Sequence, residues 1–216
     1  IDCSKALAME GVLAVMTGED LAEPGNTVLG SGEGAIALKD LIPMVMSQGK
    51  VLFHAQAVAA VAATTTALAA EAAAAIEVVY EVLPAVTDMH EALADSAPIL
   101  HSDRFPDGKS KEPTNLAAAI TMQVGEPDAA FERADVIVER TYSVPMCHQG
   151  YIEPHACVVR VDAAKRVDLW CCTQGHFTVR QYTAAVTGIS LGNIRVTPSE
   201  IGGGFGGKTT VYLEPI

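Results

Sequence analysis

The rhythm of hydrophobic positions changes several times along this chain, and each change predicts an element. Val12-Leu-Ala-Val-Met16 is a short apolar run after Gly11. It predicts a strand that follows a short helix capped by Ser4 and running to Met9. Residues 17–49 mix Gly and Pro with polar residues and read mostly as loop, with a weak apolar patch at 41–46. Residues 57–63 predict a short buried strand, and the alanine-rich stretch 65–76 predicts a helix. Glu77-Val-Val-Tyr-Glu-Val-Leu83 alternates as a strand does and stops at Pro84. Strand, helix and strand in that order favour a layered α/β unit.

Beyond residue 95 the pattern lapses. Residues 96–115 are rich in Ser, Pro, Asp, Gly and Lys, with a turn signal at Pro106-Asp107-Gly108, and predict a linker. The pattern then resumes with a short helix at 127–134 and strands at 134–144, 156–161 and 167–173. An amphipathic helix is predicted over 174–187, closed by Gly188, with a last strand at 194–197. The expected organisation is therefore a small α/β domain over 1–95, a linker over 96–115 and a second α/β domain over 116–216, with no internal repeat.

Composition narrows the function. A chain of 216 residues, half hydrophobic and 19% charged, has ordinary globular composition and can bury a real core. A net charge of −12 argues against nucleic acid or an anionic membrane surface as partner. The most apolar region, residues 55–76, is interrupted by Thr64, Thr65, Thr66 and Glu71, so no membrane span is expected. Five cysteines, an odd number without CxxC spacing, make a disulfide scaffold or zinc site a poor expectation and a cytoplasmic location the default. Adjacent Cys171 and Cys172 are expected as small core residues on opposite strand faces. The chain starts at Ile1 and stops just after a glycine-rich segment, and is expected to be part of a longer polypeptide.

That segment, Ser199-Glu-Ile-Gly-Gly-Gly-Phe-Gly-Gly-Lys-Thr-Thr210, carries the chemistry. Five glycines in six residues bring backbone against a ligand, with successive N–H groups free to bind oxygen or sulfur atoms of an anionic group. Phe205 supplies the only bulk and is expected to wedge the loop against the ligand or the pocket floor. The letters from Gly202 to Thr209 also satisfy the P-loop pattern, with 193–197 as the feeding strand. A P-loop nucleotide-binding module would further need a downstream acidic strand for Mg²⁺, and only seven residues follow Thr209. Lys208 could neutralise a phosphate or be solvated.

Other polar candidates are fewer. His148, Gln149, Glu153 and His155 crowd between two predicted strands, either as a second wall of the site or as a hydrogen-bonded turn. Gln174 falls where a strand becomes a helix, so its amide can reach the pocket as a neutral donor, although on sequence alone a lone glutamine reads more simply as a surface residue. The glycine loop itself is expected at the carboxyl end of the last strand, where open α/β sheets bind ligands.

Together, Gly202-Gly-Gly-Phe-Gly-Gly-Lys208, Thr173-Gln174, Gln149-Gly-Tyr-Ile-Glu-Pro-His155 and Gly125-Glu-Pro-Asp-Ala-Ala-Phe-Glu-Arg-Ala-Asp135 resemble the large, molybdopterin-binding subunit of the xanthine dehydrogenase and aldehyde oxidase family. The first 95 residues are similar to its hammerhead domain. The resemblance implies a hammerhead-type α/β domain followed by the start of a molybdopterin-binding α/β domain. It implies a molybdopterin (Mo) cofactor contacted by Gly203, Gly204, Phe205, Gly206 and Gly207. Gln174 would be the catalytic donor to an oxygen ligand of molybdenum, with Phe205 also near the metal and neither a direct ligand. The family hydroxylates aldehydes or N-heterocycles with water as oxygen source. It passes electrons to 2Fe-2S clusters and FAD, carried by an iron–sulfur small subunit and an FAD-binding medium subunit. A CO dehydrogenase-like large subunit is the alternative within the family. Xanthine-specific members carry Glu directly after the loop lysine. Thr209 stands there in this chain, which turns the expectation away from purines. The family's base glutamate lies beyond residue 216, so the isolated chain is expected to be inactive.

Overall fold

The first element is α1 (Ser4–Leu7), and its opening N–H is taken by the Oδ1 of Asp2, which accepts from Ser4 N at 2.9 Å. Ser4 therefore lies inside the helix rather than capping it, and Asp2 supplies the acceptor that a first turn needs. The computed structural model describes residues 1–23, 25, 27–31, 34–103, 105 and 112–216. The turn expected at 106–108 lies outside these. By their contacts the residues form two units, Ile1–Val78 joined with Met146–Ile216, and Val79–Pro145.

In the first unit, β1 (Val12–Thr17) follows α1. The segment read as loop then holds a hairpin, β2 (Val28–Ser31) with β3 (Gly34–Ala37), and a helix, α2 (Leu38–Val45). Leu38, Leu41, Ile42 and Val45 recur at helical spacing and are all buried, which is what holds α2 together despite Pro43 within it. Gln56 reinforces the turn by donating from Nε2 to the Pro43 carbonyl at 2.7 Å. Strand β4 (Ala59–Ala63) pairs antiparallel with β1, and α3 (Thr66–Ala74) follows, its first turn capped by Thr65 accepting from Leu68 N at 3.2 Å.

The alternating stretch 77–83 is not a strand. Only Glu77 pairs, exchanging backbone hydrogen bonds with Asp2. The second unit, Val79–Pro145, contains α4 (Met89–Ala92), capped by Asp88, and α5 (Pro127–Glu132), with no strand among its described residues. The strand expected over 134–144 is thus also absent. Val79, Val82 and Val136 stand 94%, 90% and 78% exposed, so their alternation finds no partner strand to bury against. Asn115 ties the middle of this unit, accepting from Leu100 N and donating to the carbonyls of Ala92 and Pro98.

The chain then builds a three-stranded sheet in the order β5 (Cys157–Val161), β6 (Val167–Cys171), β7 (Ile194–Pro198). The β5–β6 pair is antiparallel and the β6–β7 pair parallel, joined by α6 (His176–Thr187). Alternate residues of β6, Val167, Leu169 and Cys171, are buried, and Leu169 and Cys171 share a core with Val179, Tyr182 and Val186 of α6. Gly188 ends α6 at φ 72°, a left-handed conformation that costs a glycine little. Arg180 pins α6 to the entry of β7, donating to the carbonyls of Ile194 and Leu191 at 2.7 and 2.8 Å. One core unites Leu41, Ile42 and Met46 from the front of the chain with Leu169, Val179, Val186 and Val211 from the back. Among the described residues no helix is long and apolar enough to cross a membrane.

Candidate functional site

Because β6 and β7 are parallel, their carboxyl ends lie on the same edge of the sheet. Gln174 follows the end of β6, and the glycine loop follows the end of β7. The edge is locked by paired bonds between the two segments. The backbone N–H of Gln174 donates to the Lys208 carbonyl at 2.9 Å, and the Thr173 hydroxyl donates to the same carbonyl at 3.1 Å.

The side chain of Gln174 completes the lock. Its Oε1 accepts from the N–H of Gly206 at 3.0 Å and of Lys208 at 3.2 Å. Two backbone donors on one amide oxygen fix which way the amide is turned. The Nε2 group consequently faces away from them, and it makes no hydrogen bond within the described chain. A Cβ on Gly204 would lie 2.5 Å from this Oε1, so only glycine lets the loop close over the amide.

The loop divides its own donors. The N–H groups of Gly202, Gly206, Gly207 and Lys208 are used inside the protein, the Gly207 N–H by the Gly204 carbonyl at 2.7 Å. Those of Gly203, Gly204 and Phe205 make no hydrogen bond within the described chain. Gly203, Phe205 and Gly206 have φ of 93°, 50° and 90°, so the loop turns through left-handed conformations that face its N–H groups in different directions. Phe205 is held there against its own preference. Its ring is 73% exposed and nears the loop's own Gly203, so it does not wedge against a floor of this chain.

The turn at 149–155 forms a support beneath the loop, as the hydrogen-bonded reading of that turn expects. Glu153 Oε2 accepts from Gly202 N at 2.7 Å and from Lys208 Nζ at 2.6 Å. The Lys208 hydrogen bond, followed by the Gly202 N–H, holds the Glu153 carboxyl below the usual carboxylate range. Lys208 is 1% exposed. Burial works against its charge, but the Glu153 hydrogen bond and neighbouring negative groups outweigh this and raise its pKa. Its ammonium also lies 5.0 Å from the centre of the Tyr151 ring. The Tyr151 hydroxyl and His155 Nε2 are 2.9 Å apart, and burial lowers the His155 pKa. His148 turns back locally, its Nδ1 accepting from Gly150 N at 3.0 Å.

The lysine therefore neither reaches toward a phosphate nor lies in solvent. It is buried on the inner side of the loop and spent on Glu153. Among the described residues, 207–216 form no helix, whereas a P-loop opens one directly at its lysine, so the nucleotide-binding reading loses both its cation and its helix dipole. A separate hollow, lined in part by His155, Cys172, Lys208, Thr210, Tyr212 and Glu214, lies behind the lysine and includes neither Gln174 nor Gly203–Gly206. The pairing of Glu153 with Lys208 is what sequence reasoning missed. Nothing local connects residues 55 apart, and their opposite charges were the only signal.

Such a site is a backbone cradle with a neutral amide donor beside it, built for a group that presents acceptor atoms. Residues 109–216 match the molybdopterin cofactor-binding domain, and residues 1–84 match the hammerhead domain of aldehyde oxidase and xanthine dehydrogenase. The chain belongs to the xanthine dehydrogenase and aldehyde oxidase family and corresponds to a part of its molybdopterin-binding large subunit. It is 32% identical to a probable hypoxanthine oxidase of Escherichia coli, matching across 100% of this chain and 25% of that protein. It is 34% identical to the nicotinate dehydrogenase large molybdopterin subunit of Eubacterium barkeri, across 99% of this chain and 46% of that subunit. The crystal structure of a Cu,Mo-CO dehydrogenase in its carbon monoxide reduced state superposes with a TM-score of 0.77 at 29% identity, over 99% of this chain and 27% of that one. The chain thus spans between a quarter and a half of the length of the curated relatives named here.

The site fits a molybdopterin group on its own geometry. Three consecutive unbonded N–H groups, a cradle that a Cβ would fill at Gly204, and the free Nε2 donors of Gln174 suit the oxygen and sulfur atoms that such a cofactor presents.

Proposed function

We propose that this chain is the part of a molybdenum hydroxylase large subunit that seats the metal end of a molybdopterin cofactor. Residues 1–95 are read as the hammerhead-like domain, 96–115 as the linker and 116–216 as the beginning of the pterin-binding domain. The observation that carries the reading is the double acceptance by Gln174 Oε1, which aims Nε2 away from the loop and leaves it free to donate. Gly203, Gly204, Phe205, Gly206 and Gly207 form the backbone wall of the seat, and Gln174 donates at its edge. When bound, the molybdenum centre supplies oxidative hydroxylation with water as the oxygen source and takes up two electrons.

The contribution of the chain itself is positional. Gln174, Glu153 and Lys208 hold the loop in one shape before any ligand arrives, so no ordering cost falls on the binding step. The substrate is an aldehyde or an N-heterocycle. Thr209 stands where purine-specific relatives place a carboxylate, and its hydroxyl donates inward to the Gly206 carbonyl at 3.1 Å. Electrons leave through 2Fe-2S clusters and FAD on an iron–sulfur small subunit and an FAD-binding medium subunit, in the cytoplasm. Similarity to the Cu,Mo-CO dehydrogenase favours one second reading, a CO dehydrogenase-like large subunit with a cysteine in an active-site loop beyond residue 216.

Co-expression of the complete subunit with its partners tests both. Metal analysis is expected to find molybdenum and pterin, and dye reduction is expected with aldehydes or N-heterocycles. Turnover of CO alone selects the second reading. Purified complex that folds and assembles but carries no molybdenum overturns both.

A further inference from the structure

Cys157 and Cys171 are directly opposed in the antiparallel β5–β6 pair. Two backbone bonds flanking the register fix the kind of position they occupy. Cys172 N donates to the Ala156 carbonyl at 3.4 Å, and Asp162 N donates to the Arg166 carbonyl at 3.0 Å. Both bonds join directly opposed residues in the continuous register of the ladder, so the 156/172 and 162/166 positions are hydrogen-bonded pairs. Opposed pairs alternate along an antiparallel ladder, which makes 157/171 a non-hydrogen-bonded pair. At such positions the Cα atoms approach to about 4.5 Å and the side chains lean together. A disulfide spans Cα separations of about 4.4–6.8 Å, so this position can close without moving the strands.

We propose that Cys157 and Cys171 form a reversible oxidation site, closing to an intramolecular disulfide when hydrogen peroxide reaches the pair. Both are free thiols in the structure, Cys171 buried and Cys157 half-buried. A hydrogen bond from Cys157 lowers the Cys171 pKa, and sharing that proton correspondingly raises that of Cys157. Cys171 is therefore the better nucleophile. Its thiolate attacks one peroxide oxygen, the O–O bond breaks, and hydroxide leaves while Cys171 becomes a sulfenic acid. The Cys157 sulfur then attacks the Cys171 sulfur, the S–O bond breaks, and water leaves with the Cys157 proton. Two thiols and one peroxide yield one disulfide and two waters, and a dithiol reductant reverses the change. Cys172 lacks this option, because it is opposed by Ala156 and its thiol contacts the carbonyls of Pro154 and Ala156. The inference is independent of the cofactor reading.

The site lies at the root of the cradle. The Cys171 carbonyl accepts from Ser199 N at 3.0 Å, three residues before the glycine run, and Gln174 follows three residues after Cys171.

The test treats the complete native protein with a severalfold excess of hydrogen peroxide, blocks remaining thiols and maps the tryptic peptides. The expected product links peptide 141–160 to peptide 167–180, with fragment ions placing the bond at Cys157 and Cys171 rather than at Cys147 or Cys172. Dithiothreitol should restore both thiols. In Cys157→Ser the link should vanish and a sulfenic acid at Cys171 should be trapped by dimedone. Absence of the link in the wild-type protein, its passage through Cys147 or Cys172, or an undiminished link in Cys157→Ser would each overturn the proposal. The wild-type map decides the matter even if the variant does not fold.

Discussion

Glu153 and Lys208 meet at 2.6 Å across 55 residues of sequence, and the same carboxylate oxygen takes the N–H of Gly202 at 2.7 Å. One side chain thereby brackets both ends of the glycine run. Removing either partner leaves the other without its complement, and removing both together avoids that penalty. Glu153→Ala should lower the melting temperature by more than the double variant Glu153→Gln/Lys208→Met does. Thermal unfolding of the two variants checks the order, and a double variant that loses as much as Glu153→Ala or more would contradict it.

The same pair sets a pH dependence. The folded pKa of Glu153 lies below its unfolded value, so its contribution is present above the unfolded carboxyl pKa of about 4.3 and is lost as pH falls through the lower folded value. The folded pKa of Lys208 lies above its unfolded value, so its contribution is full below about pH 10.4 and is lost as pH rises through the folded value. Melting temperatures across acid pH should fall less steeply in Glu153→Gln than in the wild-type protein. Asp2, Asp88 and Asp162 are also lowered, by hydrogen bonds from nearby backbone N–H groups, so the variant should retain part of the acid loss.

Gln174 has two separable duties. A glutamate there keeps two acceptor oxygens for Gly206 and Lys208 but gives up the Nε2 donors. Gln174→Glu should preserve stability and cofactor content while lowering kcat about a hundredfold, the scale for losing one well-placed donor. Gln174→Ala should lose both duties, with cofactor content falling as well. Equal cofactor loss in the two variants would contradict this separation.

Within the loop, position matters more than glycine content. Gly204→Ala places a methyl 2.5 Å from Gln174 Oε1 and should empty the site of cofactor. A Cβ at Gly206 meets nothing within 4 Å, so Gly206→Ala costs only its strain at φ 90°, about 1–3 kcal/mol of stability. Metal analysis of the complete subunit distinguishes the two.

Leu169 is fully buried on the central strand of the β5–β6–β7 sheet. Leu169→Ala should cost about 2–5 kcal/mol in denaturant unfolding.

The parts of the site legible in the sequence were those with a local signature. The run from β6 through α6 and β7 to the glycine loop could be read because periodicity, a closing Gly188 and a dense glycine cluster all lie within forty-odd residues. Helix α2 carried a true signal at Leu38, Leu41, Ile42 and Val45, but Pro43 and the surrounding glycines suggested a loop. Tertiary burial overrode that local propensity. Residues 77–83 and 134–144 fail in the opposite sense. Alternation is a property of one segment, whereas a strand exists only through a partner, and Val79, Val82 and Val136 have none among the described residues. The role of Glu153 was hidden for the same reason, since its partners are set by the fold.

The bonds that close the glycine loop reach back to Glu153, across 49 and 55 residues, and to Gln174, across 32 and 34. Each closure carries the entropy cost of a long chain segment, and none is repaid until the sheet between them is in place. The cradle is therefore a late event in folding, and a chain still being synthesised or only partly collapsed has the glycine sequence without the seat. A ligand that needs the seat meets it only in a domain whose distant segments have already come together.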